Sequence, residues 1–143
     1  MQVIDESVWS RYRSLFPAGF RRSDLPLPGN LEYFGALQCT AHPVPPAALL
    51  EALAAWLADR GEDEVYMFLT EIDRTITEKD YALGRAELTP TSFKGLQGYF
   101  YAKVLTAKDF SWALFVDADG VVHVAGEKSL YEAIASVTPQ EQA

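Results

Sequence analysis

Residues Ser111–Ala125 read SWALFVDADGVVHVA, two runs rich in Val, Leu, Phe and Trp on either side of an Asp119-Gly120 pair. Runs of this kind are strand-like, and Asp-Gly between them is a strong hairpin signal. A two-residue turn of the I′ type, which needs positive φ at both central residues, sets the expected register. It places Ala118 opposite Val121, Val116 opposite His123 and Phe115 opposite Val124. Trp112, Leu114 and Val116 then share one sheet face, and Phe115 points to the other.

Lys128–Val137 follows the hairpin, with Leu130, Ala133, Ile134 and Val137 on one helical stripe that must cover a sheet face. Tyr99–Leu105 (YFYAKVL) precedes it as a third strand, which makes the C-terminal third a three-strand meander. Further back, Val65–Thr70 (VYMFLT) is a short apolar run bounded by charge, read as a buried strand. The helix before it is well marked. Pro45-Pro46 stands at its first turn, Leu49, Leu50, Leu53, Trp56 and Leu57 line one face, and Gly61 follows Arg60 as a stop.

Leu31–Thr40 reads as a strand interrupted at Gly35, and Phe20–Asn30, with its prolines, as a surface loop. Val8, Trp9, Tyr12, Leu15 and Phe16 recur at helical spacing, with Asp5 or Ser7 as N-cap and Pro17-Ala18-Gly19 as terminator. Between residues 71 and 97 periodicity is weak. Thr77, Glu78 and Asp80 mark a short helix start that Gly84 ends, and a turn of helix is expected through Ser92–Gln97. A stretch of that length is also a candidate lid.

The expected fold is therefore α+β. A mostly antiparallel sheet of about five strands, near 31–38, 65–70, 99–105, 111–117 and 121–125, packs on helices near 6–16, 46–60 and 128–137. With 143 residues, 49% of them hydrophobic, one domain can bury a core, and residues 138–143 form a polar tail. No apolar run approaches the roughly 20 residues that cross a bilayer, and the first residues lack the layout of a signal peptide. Cys39 is the only cysteine. Together these features point to a cytoplasmic protein with no membrane partner.

The net charge of −8 is unevenly spread: residues 26–73 carry Arg60 alone against eight acids. Nucleic-acid binding draws most of its affinity from basic patches, so that class is set aside. An acidic field favours basic partners instead. The residues proposed to carry such a contact are Glu51, Asp59, Glu62, Asp63, Glu64, Glu71 and Asp73, with Tyr99 and Tyr101 as aromatic anchors of a partner or dimer surface.

In Asp117-Ala118-Asp119-Gly120 the calcium-loop register fails, because Phe115 would fill the first ligand position. Cys39, His42 and His123 could be drawn as a zinc site or a thiol nucleophile with its base, but no further cysteine or histidine remains to complete or orient them. Glu71, Asp73, Glu78 and Asp80 cluster after the Val65–Thr70 strand together with Arg74 and Lys79, an alternation typical of a solvated loop. There is no phosphate-binding glycine loop and no nucleophile elbow. No cofactor or metal is expected.

Three readings follow. The first is a small acidic protein-binding or inhibitory protein, such as a bacterial immunity protein or antitoxin that masks a basic toxin. The second is a small-ligand binder or enzyme with a pocket under residues 71–97, using Glu71, Asp73 and His123. The third is a homo-oligomeric module, a homodimer joined through Tyr99–Leu105.

Overall fold

The structure, a computed structural model, describes residues 2–16, 31–39, 44–69, 80–96, 102–117 and 119–138. Within them the fold is α+β, as expected, built from seven strands and four helices. In chain order these are β1 (Gln2–Val3), α1 (Glu6–Leu15), β2 (Tyr33–Gln38), α2 (Ala47–Arg60), β3 (Glu64–Leu69), β4 (Tyr81–Gly84), α3 (Pro90–Lys94), β5 (Lys103–Thr106), β6 (Ala113–Val116), β7 (Val121–Ala125) and α4 (Lys128–Val137). The strands form one antiparallel sheet in the order β1-β4-β3-β5-β6-β7-β2. The expected meander is its β5-β6-β7 segment.

Strand alternation divides the core in two. Val65, Met67, Leu83, Leu105, Leu114, Val116, Val122 and Val124 point to the face covered by α2, α3 and α4. Phe68, Val104, Ala113, Phe115 and Ala125 point to the other, where Tyr12 and Phe16 pack. There the Tyr12 ring stacks on Phe68 with centroids 3.9 Å apart.

Helix α2 buries the five residues its sequence stripe names: Leu49, Leu50, Leu53, Trp56 and Leu57. Pro46, its N-cap, supplies no side-chain cap. A missing cap costs about 1 kcal/mol, which is small beside the roughly 1.5–3 kcal/mol contributed by each fully buried large apolar side chain. Gly61 ends the helix at φ 72°, with its N–H donating to Ala58 and the N–H of Glu62 to Leu57. At the start of α1, the Asp5 carboxylate accepts from the Val8 N–H, so Asp5 and not Ser7 is the cap.

Several expectations are corrected. The sheet has seven strands, two more than expected, because β1 and β4 carry no strand signal of their own in the sequence. The first is a two-residue exposed strand with no periodicity to read. The second occupies residues expected to be helical: Tyr81–Gly84 pairs with both β3 and β1, and sheet pairing outweighs local helix signals. Gly84 ends no helix. Its N–H donates to the Glu87 carboxylate at 3.0 Å and the chain turns through a short 3₁₀ segment, Arg85–Glu87. The expected helical turn near Ser92 is α3, set two residues earlier by Thr89, whose hydroxyl accepts from the Ser92 N–H. On α4, Leu130 and Ile134 are buried but Val137 is 38% exposed, so the stripe ends one turn early.

The hairpin register is also corrected, by one residue. Phe115 lies opposite His123, Val116 opposite Val122 and Leu114 opposite Val124. The Asp117 and Gly120 backbones close the turn, with Gly120 N–H donating to Asp117 and Asp117 N–H to Val121. Of the described turn residues only Gly120 has positive φ, 77°, which fits a three-residue loop ending in a left-handed glycine and not a I′ turn. A one-residue shift turns every β7 side chain over. It carries His123 out of the α2–α4 face and onto the face of Phe115 and Asp117.

Several expectations concern residues outside those described: the Pro17–Gly19 terminator, the whole Phe20–Asn30 loop, the whole of residues 70–79 with the Thr77/Glu78 helix start, the strand start at Tyr99–Tyr101, Ala118 in the hairpin turn, and the tail beyond Thr138. Strand β5 is hydrogen-bonded to β3 on one side and β6 on the other. Both its backbone edges are thus used within the sheet, and among the described strands the outermost are β1 and β2.

Candidate functional site

Where α2 gives way to β3, the left-handed Gly61 turns the chain so that Glu62, Asp63 and Glu64 emerge beside one another. Antiparallel pairing of β3 with β5 brings the β5–β6 turn, Ala107–Trp112, next to them. Between the two turns lies a cleft of about 520 Å³ whose described wall is Glu62, Asp63, Glu64, Lys108 and Asp109. Four carboxylates thus face one ammonium.

Each acid is held by a specific neighbour. Lys108 Nζ sits 3.0 Å from Glu64 Oε1 and Arg85 Nη2 3.3 Å from Asp63 Oδ1. Arg60 Nε donates to Glu62 Oε2 at 2.7 Å, and the Trp112 indole N–H to Glu62 Oε1 at 3.4 Å. The Arg60 guanidinium also lies 4.5 Å from the Trp56 ring centre, and Trp56 meets Trp112 edge-on at 5.4 Å. Trp56 in turn donates to the Ser129 hydroxyl, which fastens the cleft rim to α4. The Ser111 hydroxyl and N–H, together with the nearby Arg60 charge, hold the Asp109 carboxyl below the usual carboxylate range. The Glu64 carboxylate pushes Lys108 above the ordinary lysine value, which favours its ammonium form.

The turn that carries Lys108 and Asp109 is strained. Phe110 has φ 57°, unusual for an aromatic side chain, and a left-handed residue of this kind costs about 1–2 kcal/mol. Burial of its ring compensates: Phe110 is 2% exposed, lies near Tyr66 and Phe68, and has the Arg11 guanidinium 5.0 Å from its centre. The core therefore fixes the direction in which the acidic tip points.

Of the residues proposed from sequence, Glu62, Asp63 and Glu64 meet in the cleft. Glu51 and Asp59 are exposed on α2 and are not part of its described wall. Glu71, Asp73, Tyr99 and Tyr101 lie outside the described residues, as does His42. Lys108 and Asp109 were missed. They join the site through strand pairing across about forty residues of sequence, and no local pattern marks that pairing.

His123 is 4% exposed and belongs to a separate buried chain of hydrogen bonds. Its Nε2 lies 3.2 Å from Asp117 Oδ2 and its Nδ1 3.1 Å from the Tyr33 hydroxyl, with the Phe115 ring stacked alongside at 5.6 Å. Asp117 Oδ1 accepts the N–H groups of Asp119 and Val121. A carboxylate only accepts, so with Nε2–H donating to Asp117 a neutral His123 accepts a hydrogen bond from the Tyr33 hydroxyl at Nδ1. The aspartate considered for calcium is thus engaged within its own turn.

Cys39 is half-buried, with Sγ 3.5 Å from the Thr138 hydroxyl, and burial pushes its thiol up. It borders a small apolar pocket of about 100 Å³ with Pro46, Leu49 and Val137. A raised thiol is a poor nucleophile at neutral pH. Among the described residues no three His, Cys, Asp or Glu side chains are grouped to hold a metal ion, and no helix is long and apolar enough to cross a membrane. Compared with family models, with curated proteins and with solved structures, the chain matches none.

Proposed function

We propose that this chain is a small protein-binding module, inhibitory in the manner of an immunity protein or antitoxin, that receives a basic segment of a partner protein in the Glu62–Glu64/Asp109 cleft. The supporting observation is the cleft itself, with four carboxylates and one ammonium in its described wall. Its intrachain ion pairs do not close it. Exposed pairs are worth only about 0–1 kcal/mol, so a partner's lysine or arginine can replace Lys108 or Arg85 at little cost. The acidic whole-molecule charge then speeds encounter. A reducing cytoplasm is the compartment that suits the free Cys39 thiol.

The test is binding of fluorescent lysine- and arginine-rich peptides to the intact chain, against acidic peptides of the same length. The basic set should bind with an affinity that weakens as salt rises. The triple variant Glu62→Gln/Asp63→Asn/Glu64→Gln should lose tenfold or more in affinity, about 1.4 kcal/mol, with circular dichroism confirming its fold. Binding should also weaken as pH falls through the carboxylate range, and Asp109, held below the usual value by Ser111, keeps its charge to lower pH than an ordinary aspartate. Equal binding of basic and acidic peptides, or an unaffected triple variant, overturns the reading.

A further inference from the structure

We draw no further inference here: the strongest candidate, the buried Asp117–His123–Tyr33 hydrogen-bond chain joining strands β6, β7 and β2, is taken up in holding those strands in register, and neither the acidic cleft nor the Cys39 pocket reaches any of its three members.

Discussion

At the residue scale, two glycines with similar backbones stand in opposite surroundings. Gly61 (φ 72°) has open space where a Cβ would go, whereas a Cβ on Gly126 (φ 94°) would collide with the Ser111 carbonyl and come within 2.7 Å of the Trp112 Cα. Gly61→Ala should therefore cost only the left-handed backbone penalty, about 1 kcal/mol. Gly126→Ala adds a clash with backbone that cannot rotate away, and about 3–5 kcal/mol is expected. Urea unfolding midpoints separate the two, and similar losses would mean that space at residue 126 is not what selects glycine. The Asp117 carboxylate is a second residue-scale case, since it serves three donors at once. Asp117→Ala leaves two backbone N–H groups and an imidazole without their acceptor, and should cost about 2–4 kcal/mol. Tyr33→Phe removes one hydrogen bond at a half-buried hydroxyl and should cost about 1 kcal/mol. If both variants unfold at the same urea concentration, the chain is not the register lock described.

At the element scale, what the sequence makes legible depends on whether an element's partner is written locally. Helix α2 was readable because its stripe, its Pro-rich start and its Gly61 stop lie within one stretch, and every stripe residue is buried. The β6–β7 hairpin was readable as a hairpin but not in register. Asp119-Gly120 fits both a two-residue I′ turn and a three-residue loop ending in a left-handed glycine. The deciding feature was available in β7 itself: Val122 and Val124 form its wholly apolar face, which belongs on the core beside Leu114 and Val116, and His123 then falls on the other side. Strand β4 offered no such cue, because four residues, Tyr-Ala-Leu-Gly, carry no period and their strand character comes from β3 and β1. Helix α4 tests the stripe argument from the other direction. Ile134 is fully buried and Val137 is 38% exposed, although the sequence puts both on the same stripe. Ile134→Ala should cost about 2–5 kcal/mol and Val137→Ala less than about 0.5 kcal/mol. Equal costs in urea unfolding would extend the buried stripe to the end of the helix.

At the scale of the whole molecule, charge and architecture meet at one place. Of the eight acids of residues 26–73, seven fall within Glu51–Asp73, and folding sorts those of them that are described. Glu51 and Asp59 stay on the exposed side of α2, while Glu62, Asp63 and Glu64 converge with Asp109 across the β3–β5 pairing. Lys108 is the only cation in the described wall, and its pair with Glu64 is exposed on both sides. Loss of that pair should alter folding stability by under about 1 kcal/mol. Its effect on a cationic ligand has the opposite sign. Lys108→Gln frees the Glu64 carboxylate and removes a repelling charge, so a lysine- or arginine-rich peptide should bind roughly three- to tenfold more tightly at low ionic strength. The gain should shrink toward nothing near 1 M salt, where the screening length falls to about 3 Å. Fluorescence titration of wild type and Lys108→Gln at both salt concentrations makes the comparison. Tighter binding confined to low salt places the peptide in the cleft; an unchanged affinity at low salt places the acidic contact elsewhere on the surface.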